Sequence, residues 1–249
     1  MVELKSSEEI AKIKESGRII AKVLKRMQLE VVPGVSTWEL DKVAEEMIRA
    51  EGAVPSFLGY GGFPSSICTS VNEQVVHGIP SKDVILREGD IIGIDVGAYK
   101  NGFHADSART FSVGRVSSSV AMLLANTRKA LYKAIEVVKP GVHLGDVSNA
   151  VETYATASGL GIVRDYCGHG VGRKLHEDPC ILNYGPKGKG IILKEGMVLA
   201  IEPMLNLGCE EVEVLEDQWT VVTADRAYSA HFEHTVAITD DGYEILTGE

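Results

Sequence analysis

The sequence lacks the features that define several classes of protein. It has no apolar run approaching the ~20 residues of a membrane-spanning helix, and residues 1–5 carry charge where a secretory signal would be apolar. None of its four cysteines are in CxxC spacing, which predicts neither a thiolate zinc site nor a redox pair. The net charge of −10 argues against nucleic-acid binding, which requires a basic face. We therefore expect a cytoplasmic protein with reduced thiols that binds no membrane and no specific nucleic acid.

The chain contains one long internal repeat. Its 249 residues, 45% hydrophobic and 24% charged, are typical of a globular protein. Matching segments recur at the shift that takes residue 33 to residue 140, which is 107 positions. The clearest matches are Pro33-Gly34-Val35 with Pro140-Gly141-Val142 and Leu86-Arg87-Glu88-Gly89 with Leu193-Lys194-Glu195-Gly196. We interpret residues 1–249 as a single domain with two related halves, about 1–115 and 116–249.

Each half is predicted to form two helices followed by strands. Ser6-x-x-Glu9 and Ser36-x-x-Glu39 are capping boxes, each placed before an apolar helical face. In the second half, the predicted helices cover residues 119–138 and about 144–158. The candidate strands are residues 71–76, 90–96, 104–113, 197–201, 219–223 and 232–239. Helices packed on a sheet with pseudo-twofold symmetry would make an α+β fold.

Two of these apolar strands contain an acid at equivalent positions of the repeat, Asp95 and Glu202. Burying a carboxylate is costly unless a cation compensates it or its pKa shifts. For either acid alone, the commoner explanation is that it lies at a strand end and reaches water or an arginine.

A predicted hairpin favours a metal site over that explanation. Asn101-Gly102 is typical of a two-residue hairpin turn, which would pair Asp95 with Ala108 and place Asp106 diagonally beside Asp95 on one sheet face. Two adjacent carboxylates would repel each other without a cation. The second half offers Glu202, Glu233 and histidines, and such a set suits Mn²⁺, Fe²⁺, Co²⁺ or Zn²⁺, with two bridged ions as one arrangement.

The seven histidines are candidates of unequal strength. His169 has glycine on both sides, which permits the close backbone approach expected around a ligand. His143 is expected to be an ordinary surface residue, and the roles of His104 and His231 stay open.

The motifs, taken together, resemble those of type I methionine aminopeptidases. They include Cys68-Thr69-Ser70-Val71-Asn72-Glu73, Val76-His77-Gly78-Ile79-Pro80, Gly89-Asp90-Ile91-Ile92, Asp95-Val96-Gly97, Cys167-Gly168-His169-Gly170-Val171-Gly172, Leu199-Ala200-Ile201-Glu202-Pro203-Met204 and Phe232-Glu233-His234-Thr235. The resemblance spans nearly the whole chain and fits the short bacterial form. It implies the pita-bread fold, in which two duplicated helix-helix-strand halves are related by a pseudo-twofold axis with the metal site between them.

The resemblance also implies a set of site residues. The metal ligands would be Asp95, Asp106, His169, Glu202 and Glu233, with Asp106 and Glu233 bridging two divalent ions (Co, Mn, Fe or Zn). His77 and His176 would contact the substrate amide and the tetrahedral intermediate, and Glu202 would shuttle protons. The methionine pocket would be lined by Tyr60, Cys68, Tyr166, Leu175 and Trp219, with Leu175 departing from the phenylalanine that bacterial enzymes often have. A Na⁺ or K⁺ site would involve Asn72, Gln74 and Ser229.

The implied function is removal of the initiator methionine from nascent proteins whose second residue is small. A metal-activated water would attack the first peptide bond. We expect a monomer, and three lysines could make transient contact with the ribosome, although a solvated loop is the simpler explanation: Lys187, Lys189 and Lys194.

Three alternatives compete with this interpretation. A proline dipeptidase or aminopeptidase P would share the fold, but such enzymes usually have a large N-terminal domain. A metal-free binding protein would not need all five ligands. A thiol enzyme could use Cys167 and His169, but two residues this close in sequence are weak evidence for a catalytic pair.

Overall fold

The computed structural model describes residues 2–248 and confirms the predicted α+β class. Each half begins with two helices, as the sequence predicts. The four α-helices are α1 (Ser7–Glu30), α2 (Thr37–Ala50), α3 (Ser118–Ile135) and α4 (Leu144–Ala157). None of the helices within residues 2–248 has the length and apolarity needed to cross a bilayer.

Both predicted capping boxes are present. At the start of α1, the Ser6 hydroxyl accepts from the Glu9 amide, and the Glu9 carboxylate accepts from the Ser6 amide at 2.9 Å. Ser36 and Glu39 make the same exchange at the start of α2. These bonds satisfy amides that have no partner within the helix, which explains why both helices begin where the sequence places them.

The strands of the first half surround one long hairpin. They are β1 (Val54–Pro55), β2 (Cys68–Val71), β3 (Gln74–Val76), β4 (Ile91–Lys100) and β5 (Phe103–Ser112), with a short 3-10 helix at Tyr60–Gly62. β4 pairs with β5 along one edge and with β1 and β2 along the other. This sheet packs against α1 and α2 through a buried apolar cluster.

The strands of the second half form the other sheets. They are β6 (Gly161–Ile162), β7 (Gly168–Gly170), β8 (Glu177–Ile181), β9 (Val198–Ile201), β10 (Met204–Asn206), β11 (Val212–Val214), β12 (Val221–Thr223), β13 (Ser229–His231), β14 (His234–Ile238) and β15 (Tyr243–Ile245). The largest sheet has the order β15-β14-β9-β7-β8 and packs with α3 and α4 around a second cluster. β8 is therefore an edge strand.

The repeat found in the sequence recurs in local structure at the same shift. The bounds of α2, residues 37–50, become the bounds of α4, residues 144–157. Isolated bridges join Ser36 to Ile85 in one half and His143 to Ile192 in the other. These equivalences agree with two related halves.

Several predicted boundaries were wrong for local reasons. The strand predicted over 71–76 is two strands, because Asn72 adopts a left-handed conformation (φ 55°) and turns the chain. Helix α3 ends at Ile135 rather than 138, since the amides of Val137 and Val138 bond to residues only three earlier. β14 begins at His234 because the Glu233 amide leaves the sheet and bonds to the Ala108 carbonyl at 2.9 Å.

Candidate metal centre and substrate cavity

The predicted hairpin places two carboxyl groups together. β4 and β5 pair with Asp95 opposite Ala108 and Gly97 opposite Asp106, which is the predicted register. The carboxyl groups of Asp95 and Asp106 are in hydrogen-bonding contact. The turn at Asn101 therefore brings Asp95 and Asp106 together through local strand pairing alone.

Three further side chains reach the same point from the larger sheet. His169 is in β7, Glu202 directly follows β9, and Glu233 directly precedes β14. Ligand atoms of Asp106, His169 and Glu233 all lie within 4.8 Å of one another. His169 Nε2 is 3.7 Å from Asp106 Oδ2 and 3.6 Å from Glu202 Oε1. We call these five side chains, Asp95, Asp106, His169, Glu202 and Glu233, the acid cluster.

The histidine of the acid cluster is held in the tautomer that a metal ligand requires. His169 Nδ1 is 2.9 Å from the Gly170 carbonyl oxygen, which can only accept, so Nδ1 donates. The lone pair of Nε2 then faces the acids. Burial lowers the pKa of His169 to about 4, which keeps the ring neutral at physiological pH.

Burial also changes the charge of the acids. Burial and neighbouring carboxylates raise the pKa of Asp106 and of Glu233 well above its usual value. Burial raises the pKa of Glu202 to about 8 and that of Asp95 to about 6. At pH 7 the cluster without a cation therefore retains protons, because several adjacent carboxylates cannot all be ionised in an apolar setting.

Polar atoms without partners show what the cluster needs. Among residues 2–248, the buried atoms Asp95 Oδ1, Asp106 Oδ1 and Glu233 Oε1 make no hydrogen bond. Each such atom destabilises a fold by roughly 1–3 kcal/mol. A divalent cation would satisfy them, and carboxylate oxygens with one imidazole nitrogen are donors that Mn²⁺, Fe²⁺, Co²⁺ and Zn²⁺ accept. The residues present therefore fit a divalent metal ion.

Metal binding should release protons. Glu202, Asp106 and Glu233 must lose their protons to become ligands, so we expect more than one proton released on full loading at pH 7. Calorimetric titration with Mn²⁺ in buffers of different ionisation enthalpy measures this number. The number of protons released should decrease above pH 8, where Glu202 is already ionised. The apparent affinity for Mn²⁺ should fall in acid, where the carboxyl groups hold their protons more firmly. A binding enthalpy independent of the buffer would contradict the raised pKa values.

Two histidines lie in the wall of the cavity beside the acid cluster. His77 has a left-handed backbone (φ 61°), and its ring contacts Tyr166 and Trp219. His176 Nδ1 is 2.8 Å from the Tyr60 hydroxyl, and its ring centroid is 4.3 Å from that of His169. Burial lowers the pKa of His77 to about 4 and also lowers that of His176, so both rings are neutral hydrogen-bonding groups at pH 7.

The cavity has a volume of about 470 Å³ and combines the acid cluster with an apolar wall. All five residues predicted for the methionine pocket line it: Tyr60, Cys68, Tyr166, Leu175 and Trp219. Cys68 and Leu175 pack with Phe57 and Phe63 in one buried apolar cluster. The arrangement could hold an unbranched apolar side chain next to the acid cluster.

Some residues of this cavity are not indicated by the sequence motifs. Phe57 and Phe63 lie on either side of the glycine-rich turn at Tyr60, a pattern that marks an aromatic loop. His231, whose role was open, is buried with Nε2 3.4 Å from Glu202 Oε2. His231 stands two residues before Glu233 in the sequence, so the pattern His231-x-Glu233 could have drawn attention to it.

The other candidate residues lie apart from the cavity or lack the required chemistry. Asn72 and Ser229 are joined by a backbone hydrogen bond of 2.9 Å, while the Gln74 side chain accepts from the Val71 amide. The cation site at Asn72, Gln74 and Ser229 stays a prediction. The thiol-enzyme alternative is disfavoured, because burial raises the pKa of Cys167 to about 12, whereas a nucleophilic cysteine needs a lowered pKa.

Comparison with known proteins agrees with this geometry. A model of "Metallopeptidase family M24" matches residues 11–240, which include the whole acid cluster. The chain is 51% identical to methionine aminopeptidase 1 of Bacillus subtilis (strain 168) over 247 residues, 99% of each protein. A crystal structure of methionine aminopeptidase from Thermotoga maritima matches with a TM-score of 0.99 and 46% identity, covering 100% of both chains.

A more distant match bears on one of the alternatives. The prolidase from Pyrococcus furiosus matches with a TM-score of 0.77 and 27% identity, and this chain covers 65% of that longer chain. This prolidase thus shares the fold, but the match leaves about a third of its own chain uncovered. Since the matched region contains both halves and the acid cluster between them, the chain belongs to metallopeptidase family M24 and adopts its pita-bread fold.

Proposed function

We propose that this chain is a metal-dependent aminopeptidase that removes the N-terminal methionine from peptides and nascent proteins. The observation that supports this most directly is the cavity in which an apolar wall adjoins the acid cluster. The relatives named methionine aminopeptidase match over the whole chain. Use of a divalent metal follows from the family and from the three ligand groups within 4.8 Å.

We propose that the acid cluster would hold two divalent ions through the side chains of Asp95, Asp106, His169, Glu202 and Glu233. A cation there supplies Lewis-acid chemistry, which makes hydroxide available near neutral pH. Four carboxyl groups and one imidazole are more donors than one small cation needs, which favours two. The cluster also excludes bulk water, since Asp106 is 3% and Glu233 is 2% exposed.

Glu202 is proposed to move the proton in this reaction. Its carboxylate oxygens lie 3.6 Å from His169 and 3.4 Å from His231, at the edge of the acid cluster and on the cavity wall. Burial raises the pKa of the Glu202 carboxyl in the cluster without a cation. Once a cation has taken up its charge, the carboxylate can accept a proton and return it. Glu202 would take a proton from water and deliver it to the leaving amine.

His77 and His176 are proposed to bind the scissile amide. Both rings line the cavity, and both are neutral at pH 7. A neutral imidazole N–H can donate a hydrogen bond to a carbonyl oxygen. This hydrogen bond becomes stronger as negative charge develops on that oxygen. The hydrogen bond between the Tyr60 hydroxyl and His176 Nδ1 holds that ring in position.

Substrate choice tests the proposal. Met-Ala and Met-Gly peptides should be cleaved well, because the apolar pocket accepts the thioether. Lys-Ala should be cleaved poorly, since desolvating an unpartnered charge costs well above the roughly 2–7 kcal/mol needed to bury an unpaired neutral polar group. Met-Leu and Met-Lys should also be poor, because the second residue lies nearer the acid cluster. Competition among the peptides, read by mass spectrometry, gives ratios of kcat/KM.

The same experiment separates the nearest rival. A prolidase-like enzyme prefers a bond to proline and is less selective for the first residue. Cleavage of Ala-Pro or Leu-Pro as fast as Met-Ala would contradict the methionine assignment and leave the metal site intact. Leu175 is smaller than phenylalanine, so norleucine at the first position should be tolerated.

We further propose that residues 1–249 form one catalytic domain that acts as a cytoplasmic monomer. The three lysines predicted to approach the ribosome are exposed, which supports either a transient contact or simple solvation: Lys187, Lys189 and Lys194. Co-sedimentation of the protein with ribosomes, with and without a triple substitution to Gln, would decide between them.

A further inference from the structure

Two thiols lie side by side in the wall of the cavity. Cys167 directly precedes β7, and Cys180 is in the edge strand β8. Both line the cavity that contains the acid cluster. Cys180 is exposed to solvent and Cys167 is half-buried, while Cys68 is buried in another part of the cavity wall, with Phe57 and Phe63, and Cys209 lies outside the cavity.

Strand pairing explains why these thiols meet. β7 and β8 are antiparallel with Gly168 opposite Ile181, which makes Cys167 and Cys180 diagonal neighbours on one face. The Cys167 sulfur accepts from the Ile181 amide and is in hydrogen-bonding contact with the Cys180 thiol. A β-bulge interrupts the pairing between Gly168 and Gly170. An edge strand beside a bulge can shift slightly, as disulfide geometry requires.

We propose that Cys167 and Cys180 form a reversible disulfide bond under peroxide, and that this modification lowers the aminopeptidase activity. The exposed Cys180 sulfur attacks the O–O bond of the peroxide, which gives a sulfenic acid and one water. The Cys167 thiol, which is in contact with this sulfur, then displaces the hydroxyl and passes its own proton to it, so the S–S bond and a second water form without a free thiolate at Cys167. The two thiols lose two electrons, which reduce the peroxide, and a dithiol reductant reverses the change.

The position of the pair accounts for the loss of activity. Cys167 is two residues from His169 of the acid cluster, and β8 follows His176 directly. Linking β7 to β8 at this point would displace both imidazoles relative to Glu202 and narrow the cavity between them. A displacement of about 1 Å at a catalytic site can lower the rate by about 10²-fold, so we expect at least a roughly tenfold fall in kcat/KM.

The test treats the reduced protein with a small excess of hydrogen peroxide, alkylates the remaining thiols and maps the peptides by mass spectrometry. The expected product is a linked peptide pair containing Cys167 and Cys180, lighter by two hydrogen atoms, with Cys68 and Cys209 alkylated. Activity on Met-Ala should fall on oxidation and return with dithiothreitol. Each variant is compared with its own reduced form.

Matched variants separate the outcomes. Cys180→Ser and Cys167→Ser should prevent both the disulfide and the reversible loss, whereas Cys209→Ser, a half-buried thiol outside the cavity, should change neither. Alkylation of both thiols after peroxide, a different disulfide, or an equal loss in Cys180→Ser would overturn the proposal. Only the activity measurement depends on the proposed function. If the reduced enzyme does not cleave Met-Ala, that function fails while the peptide map still decides whether the disulfide forms.

Discussion

Removal of divalent metal should abolish cleavage of Met-Ala peptides, and addition of Mn²⁺, Co²⁺ or Fe²⁺ should restore it. The acid cluster brings together carboxyl groups whose buried oxygens have no hydrogen-bond partner among residues 2–248, and a divalent cation would satisfy them together. Activity measured after exhaustive chelation, and again during metal titration, tests this. Full activity in the demetallated protein would refute a metal mechanism.

The same treatment should lower stability. A cation that binds only the folded chain stabilises it by about 2.7 kcal/mol at 100 times its dissociation constant. The melting temperature should therefore rise with added Mn²⁺. Asp106→Asn serves as the comparison, because it removes a proposed ligand and should reduce both the thermal shift and the recovery of activity. A metal-free binding protein would show neither response.

Replacing Glu202 by Gln should lower kcat by at least roughly 10²–10⁴-fold, the usual contribution of general acid–base catalysis. The amide keeps the shape of the side chain but cannot accept and return a proton. Glu202 is placed for this role by its contacts with His169 and His231. Steady-state kinetics on Met-Ala, with bound metal measured in the same samples, separates proton transfer from loss of a ligand.

A control variant makes the same chemical change elsewhere. Glu195→Gln alters an exposed acid that precedes β9, the strand that Glu202 follows, and it should leave kcat unchanged. A Glu202→Gln enzyme that retains most of its turnover with full metal content would remove Glu202 from the mechanism. If Glu202→Gln is inactive because it has lost metal, Glu202 is a ligand, and its proton transfer must be tested by the pH profile of the partly active enzyme at high metal concentration.

Local patterns in the sequence were sufficient to predict the main helices and strands. They also predicted the contact between Asp95 and Asp106, the two members of the acid cluster that come from the first half of the chain. Capping boxes at Ser6 and Ser36 determine where two helices begin. The Asn101-Gly102 turn determines the register of β4 and β5, and therefore the contact of Asp95 with Asp106. These features depend on hydrogen bonds between residues close in the chain, so they can be derived without knowing how the halves pack.

The second half of the sequence offers Glu202 and Glu233 as further acids, and the family resemblance implies that they belong to one ligand set with His169. Glu202 and Asp95 were linked by the repeat, but the selection of His169 among seven histidines rested on the motif it belongs to. The structure shows these side chains close together in one cavity. It also adds His231 and Phe57, which no quoted motif indicated as part of the site.

Tertiary structure alone decided how the two halves meet. Thr235 donates to the Asp106 carbonyl at 2.7 Å, and Ser107 donates to the Glu233 carbonyl at 2.6 Å, joining residues more than a hundred positions apart. The contact of Cys167 with Cys180 likewise depends on a bulge between strands. The sequence by itself determined the elements, the hairpin and the chemical types of the acid-cluster side chains, because these follow from short-range bonding and from family motifs. The distances among these side chains depend on the packing of distant strands, which no local pattern specifies.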